Sequence, residues 1–182
     1  MSKKVKIIGA IVILLAFLFP LIYSLFFSKK TSSPRDNSAP QPRIESYDPP
    51  FTKEGELEIL DGTSGDTIKS LSIEIADNEK EIMQGLMYRS AMLDSVGMLF
   101  IFDEPNLHTF WMKNTKIPLD IIFIDDQQRI VTIKRNTTPY SEKEVPSEKE
   151  VLYVLEVNAG FSDKYGVKVG DLIRFKRDSN PL

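Results

Sequence analysis

"ELEILDGTSGDTIKSLSIEIA", residues 56–76, decides the fold class. Its two ends alternate apolar and polar residues with period two. Leu57 and Ile59 carry the first run, and Leu71, Ile73 and Ile75 the second, with Ile68 ahead of them. Successive side chains of a strand point to opposite faces, so this period belongs to a strand with one face on a core. The middle, "DGTSGD" (Asp61–Asp66), sets two glycines among short polar residues, which is turn chemistry. Two such strands around a turn predict a hairpin, with Lys69 and Ser70 marking a bulge where the alternation slips.

Further along, "DNEKEIMQGLMYRS" (Asp77–Ser90) changes period. Asp77 or Asn78 can cap a helix, and Glu79 and Glu81 suit its positive end. Ile82 and Leu86, like Met83 and Met87, repeat at four. Gly85 keeps that helix short. "GMLFIF" (Gly97–Phe102), "TFWMK" (Thr109–Lys113), "IPLDIIFID" (Ile117–Asp125), "RIVTIKR" (Arg129–Arg135) and "GDLIRF" (Gly170–Phe175) read as further strands. "VLYVLEV" (Val151–Val157) reads as a central strand, and "NTTPYSEKEVPSEKE" (Asn136–Glu150) as a polar loop. "GFSDKYG" makes one helical turn that ends at Gly166. About eight strands with one or two short helices predict a mainly β domain over residues 51–178, a small barrel or sandwich.

The chain has 182 residues, which leaves room for one domain and its attachments. Residues 51–182 hold sixteen Lys/Arg against twenty-three Asp/Glu, a net charge of −7. No basic stripe interleaved with aromatics appears there, so nucleic acid is not an expected partner. The absence of cysteine excludes disulfides, thiol nucleophiles and thiolate-bound zinc.

The N-terminus has a different character. "IIGAIVILLAFLFPLIYSLFF" (Ile7–Phe27) runs 21 residues without a charge. As a helix it would span about 31 Å, close to the hydrocarbon thickness of a bilayer. Its far flank, "LIYSLFFSKK", offers no small-x-small cleavage site, so a retained transmembrane helix is expected. Lys3, Lys4 and Lys6 precede it and predict a cytoplasmic tail at 1–6. The rest then stands outside the cytoplasmic membrane, as a single-pass protein with a periplasmic or cell-surface domain. Residues 28–50 are rich in Pro and Ser and read as a disordered linker.

"QGLMYRSAMLDSVGMLFIFDEPNLHTFWMKNTKIPLDIIFIDDQQRIVTI" followed by "YVLEVNAGFSDKYGVKVGDLIRF" resembles the family called domain of unknown function 192. The carrying motifs are G-x-M-x-R at Gly85–Arg89, G-M-L-F at Gly97–Phe100, F-W-M-K-N-T-x-I-P-L-D at Phe110–Asp120, and A-G with G-x-x-x-G-D ending at Asp171. The resemblance covers roughly Ile68 to Phe175. It implies a small β-rich domain, often exported or tethered, with no established activity.

The stretch "HTFWMKNTKIPLD" (His108–Asp120) holds the only histidine and the only tryptophan. One reading is structural. Asn114 and Thr115 form a turn, and Arg89 pairs with Asp120 in a buried network. A second reading is a cleft for a saccharide or peptide, built from Tyr88, Arg89, His108, Trp111 and Lys113. A third is a Cu(I) site from His108 with Met83, Met87, Met92, Met98 and Met112. Ca²⁺ at Asp103 and Glu104, or at Asp125 and Asp126, lacks EF-hand spacing. A hydrolase would need Ser90, Ser95 or Thr109 with His108 and Asp120, and none lies in a nucleophile-elbow pattern. The expectation is therefore a binding or structural module with no cofactor and no catalytic residue. Arg89, His108, Trp111, Lys113, Asn114, Thr115 and Asp120 form its candidate cluster. On a regular strand, His108 and Trp111 would face opposite ways. Trp111 is then expected as a core or cleft wall, and His108 at a solvated strand start.

Overall fold

A computed structural model describes residues 47–179. The expected cytoplasmic tail, the transmembrane helix and the linker as far as residue 46 lie outside the described residues. Among the described residues no helix is long and apolar enough to cross a membrane. Tyr47–Pro50, the end of the segment expected as linker, lies on the domain. Tyr47 packs edge-on against Tyr88, and the Asp48 carboxylate accepts the Ser90 N–H at 3.0 Å.

The hairpin is present: β1 (Gly55–Leu60) pairs antiparallel with β2 (Thr67–Ala76). Ile59 faces Lys69 while Leu60 faces Thr67, so the bulge falls at Ile68, beside the expected place. Helix α1 (Glu79–Gln84) follows, with Asn78 as N-cap accepting the Glu81 N–H at 3.1 Å. Gly85 ends it at φ +46, and a Cβ there would meet the Phe100 ring at 3.3 Å. Both facts require glycine.

β3 (Val96–Asn106) then runs parallel to β2, an arrangement that needs the α1 crossover. The strands β4 (Thr109–Phe110), β5 (Leu119–Ile124), β6 (Ile130–Lys134), β7 (Val145–Pro146) and β8 (Val151–Asn158) follow, then helix α2 (Phe161–Tyr165) and β9 (Leu172–Arg177). Seven strands form one sheet in the order β6-β5-β8-β3-β2-β1-β9, while β4 and β7 pair separately. The expected strand over Thr109–Lys113 thus stops at Phe110. The expected loop 136–150 contributes β7, where Pro146 tolerates a short strand edge.

The sheet is not closed into a barrel. Its outer strands β6 and β9 approach only at one end, through the Arg129–Leu172 bridge and the flanking bonds Ile130 N–H to Asp171 O (2.8 Å) and Ile173 N–H to Gln128 O (2.9 Å). Both faces of the central strands are buried. Leu57, Ile73, Leu99, Ile122 and Leu155 share one core. Met98, Phe100, Ile121, Phe123 and Val154 share the other, under Leu86 and Met112. That double burial is why β5 and β8 read as nearly continuous apolar runs.

Candidate functional site

One row of the second face carries charge where the sheet is buried. In register across it stand Glu74, Met98, Glu156, Ile121 and Lys134. The two glutamates flank Met98 and have opposite environments.

Glu74 is paired. Its Oε1 accepts from Arg89 Nη2 at 2.6 Å and from the Thr52 N–H at 2.9 Å, and both side chains of the ion pair are buried. Arg89 Nη2 also reaches Pro50 O at 3.3 Å. The partner of Arg89 is therefore Glu74, not Asp120 as expected. Asp120 is fully buried and needs no cation. Its Oδ1 accepts the N–H groups of Asn136 (2.9 Å) and Gly160 (3.2 Å), and its Oδ2 accepts that of Ser162 (2.9 Å). Three backbone donors satisfy the carboxylate and fix the start of α2 to β5.

Among the described residues Glu156 has no such partner. It is 4% exposed, and burial alone raises its carboxyl to about 8, so it is protonated at neutral pH. It lies at the floor of a cleft of ≈ 470 Å³. The cleft runs between the end of α1 and the segment from His108 to Thr115, with Phe100, Phe102 and Phe110 as walls. Gly85 stands over the carboxyl, its absent Cβ position 3.9 Å from Glu156 Oε2. Among the described residues five buried side-chain atoms lack a hydrogen-bond partner: Glu74 Oε2, Arg89 Nε and Ser162 Oγ, whose residues are otherwise bonded, and Gln84 Nε2 and His108 Nε2, whose residues line this cleft.

Five of the seven expected residues line this cleft: His108, Trp111, Lys113, Asn114 and Thr115. Arg89 and Asp120 do not. His108 and Trp111 share it because β4 ends at Phe110 and the chain leaves the strand between them. Trp111 stands in the cleft wall, as expected, but at its exposed rim, whereas His108 is not the solvated residue expected. The His108 ring is half-buried, stacked on Phe102 at 3.6 Å, and desolvation lowers its pKa, so it is neutral at pH 7. Trp111 is 50% exposed at the rim, with Lys113 Nζ 5.1 Å over its ring.

Asn114 and Thr115 act as turn residues. Asn114 is left-handed (φ 56), its carbonyl accepts the Tyr88 N–H at 2.9 Å, and its Nδ2 donates to Tyr88 Oη at 3.1 Å. Thr115 accepts the Tyr140 N–H through its backbone carbonyl at 3.1 Å. These bonds hold the two lips of the cleft together at one end.

The methionines do not gather into one site. Met83 and Met87 line the cleft, whereas Met98 and Met112 are buried in the second core with Met92 against it. Among the described residues no cluster of three or more His, Asp or Glu could hold a metal ion. Asp125 Oδ1 accepts the N–H groups of Gln127 and Arg129, a turn role. Nor do the hydrolase candidates converge, since Ser90 bonds Asp48 and Asp120 bonds backbone.

Glu156, Gln84 and Glu74 were absent from the expected site. The signal for Glu156 lies in "VLYVLEV": a strand without alternation has no solvent face, so a glutamate within it must be buried or open into a cavity.

No curated protein matches the chain. Among solved structures, a candidate transcription regulator from Sinorhizobium meliloti 1021 is 38% identical, with a TM-score of 0.65 over 70% of this chain and 98% of its own. A protein of unknown function from Novosphingobium aromaticivorans DSM 12444 is 39% identical, with a TM-score of 0.62 over 65% of this chain and 83% of its own. The family model named DUF192 and described as an uncharacterized ACR matches residues 61–175, and the chain belongs to that family of domains of unknown function.

Proposed function

We propose that this domain is a ligand-binding module, held to the membrane by residues 7–27 and displayed outside the cytoplasm, and that the cleft over Glu156 is its binding site. The observation that supports this most is the unpaired glutamate at the cleft floor. A buried carboxyl with a raised proton affinity, set in an aromatic cleft, marks a site built for a ligand's polar group. The walls are mostly Phe, Met and Trp, with Thr109, Lys113, Asn114 and Thr115 among them; the buried unpartnered atoms belong to Gln84 and His108, and Glu156 adds a neutral carboxyl. A saccharide needs partners for many hydroxyls. This lining suits an apolar body with one polar end, which favours a peptide terminus or a small amphipathic molecule.

The description of the Sinorhizobium protein as a candidate regulator fits ligand sensing better than DNA contact by this domain, whose net charge of −7 repels phosphate. The test uses the only tryptophan, which sits on the rim. Full-length protein is screened against small apolar molecules that each carry one polar group. Trp111 fluorescence and the His108 imidazole NMR signal are followed together. Ligands that move both signals support the site. A set that moves neither signal, while shifting residues elsewhere, refutes it. Protease added outside intact cells or spheroplasts should release the domain by cutting within residues 28–46; protection there rejects the topology.

A further inference from the structure

We infer that the polar end of the ligand is a carboxylate, received by hydrogen-bond donors of Glu156 and Gln84 at the cleft floor. The inference rests on the binding reading above and specifies its chemistry. The unsatisfied groups of the cleft are donors or can serve as donors. Gln84 Nε2 is buried and donates to nothing. A neutral carboxyl carries one O–H, and among the described residues no acceptor is bonded to Glu156. The neutral imidazole of His108 offers one N–H, and its Nε2 is also unpartnered. Lys113 places an ammonium at the rim, over Trp111. An acceptor-rich anion meets all of these at once, and an acid–carboxylate bond is of the strong, charge-assisted kind. An organic cation would leave Gln84 Nε2 without an acceptor and would set Lys113 against it.

The surroundings of Glu156 fix how binding responds to pH. Its strand neighbours on that face are Met98 and Ile121. Beyond them lie Glu74, already paired with Arg89, and Lys134, paired with Glu148 at 2.5 Å. Across the cleft stand His108 and Lys113. None of these forms an ion pair with Glu156. Its donor is therefore present below about 8 and lost above it. His108, which desolvation holds below its ordinary range, loses its charge ahead of Glu156 as pH rises. Affinity for a carboxylate should fall by about tenfold between about pH 6 and pH 9.

The experiment compares three probes with one body: 3-phenylpropionate, 3-phenylpropanol and 3-phenylpropylamine, titrated into the full-length protein by calorimetry and Trp111 fluorescence. The propionate should bind best near pH 6 and weaken about tenfold near pH 9. Glu156→Gln keeps a neutral donor at the floor, so it should retain the propionate and lose the pH dependence. Gln84→Ala should weaken the propionate more than the alcohol. A peptide ending in phenylalanine, free or amidated, separates two sources of the carboxylate. Preference of the free form over both its amide and the propionate assigns the site to protein termini, and preference for the propionate assigns it to small acids. Tighter binding of the amine or the alcohol, or affinity that rises with pH, overturns the carboxylate and leaves the cleft as a binding site. No response to any probe up to its solubility limit overturns both.

Discussion

Glu156→Gln should make the domain more stable at neutral pH, and the gain should grow with pH. In the fold the carboxyl titrates at about 8, against an ordinary value of 4.5. Between those values the folded state holds a proton that the unfolded chain has released. Stability therefore falls as pH rises through that window, by about 1.4 kcal/mol per unit, and levels off above about 8. At pH 7 the loss relative to acid comes to about 3 kcal/mol, and above about pH 8 to about 5 kcal/mol, both upper figures for a side chain that opens into a cleft. Glutamine has nearly the same shape and no charge to desolvate. The variant should match the wild type near pH 5 and exceed it by that margin near pH 8. Urea unfolding of the full-length chain in non-ionic detergent, followed by circular dichroism at several pH values, measures this. Exposed carboxylates such as Asp48, Asp94 and Glu56 are held low by their partners and weaken both proteins alike in acid, so the difference between the two isolates Glu156. A difference that stays flat from about pH 5 to pH 8, or a variant less stable than the wild type near pH 8, refutes the buried, unpaired carboxyl.

Arg89→Ala leaves Glu74 buried without its cation and should cost about 3–5 kcal/mol, as should Glu74→Ala from the other side. The joint change Glu74→Leu with Arg89→Met should lose less than the sum in thermal melts; strict additivity would dissolve the pair. Asp120→Ala strips three backbone N–H groups of their acceptor and should cost about 3 kcal/mol or more, with Asp120→Asn between it and the wild type. Equal melting of the alanine variant and the wild type rejects the anchoring role. His108 should titrate below its ordinary 6.5 in NMR, and its share of stability should be lost as pH falls through that value, because the unfolded chain takes the proton first. His108→Phe keeps the ring on Phe102 and should remove that acid sensitivity; an ordinary imidazole midpoint counts against the stacked, desolvated ring.

The hairpin, a helix cap at Asp77 or Asn78, the strand character of β8 and the helical turn closed by Gly166 were legible because each is local. Period, cap chemistry and glycine placement fix them within a few residues. The parallel pairing of β2 with β3 was not legible, since it depends on where α1 folds back. The same crossover explains why Glu74, on the polar side of an alternating strand, is buried: α1 and Arg89 cover a face that the period assigns to solvent. It also explains the partner error. Sequence marked Arg89 and Asp120 as buried partners, but a buried carboxylate can be satisfied by a cation or by backbone N–H groups, and only the fold decides which. At His108 and Trp111 the spacing argument held for a regular strand, and the strand ended one residue before Trp111.

The two glutamates on one row of the sheet separate structure from function. Glu74 has an arginine and a backbone N–H; the first ties the crossover to the sheet and the second ties the segment before β1 to it. Glu156 has neither among the described residues, faces a cleft, and by its raised proton affinity works against the fold as pH rises towards neutral. Its strand neighbours are methionine and isoleucine, so an apolar residue would suit that position for folding alone. Gly85 keeps the space above the carboxyl clear, although α1 would extend more readily through another residue. Gln84 and His108 bring further unsatisfied groups to the same space. Local rules of burial are thus broken three times around one cleft of ≈ 470 Å³. Glu74 Oε2, Arg89 Nε and Ser162 Oγ are also unpartnered among the described residues, but their residues are tied by other bonds of the same side chain or backbone. Gln84, His108 and Glu156 instead line one cleft, as expected where a fold gives up stability to hold a ligand. Asp120, equally buried but fully bonded, shows that this chain satisfies a carboxylate where structure alone is at stake.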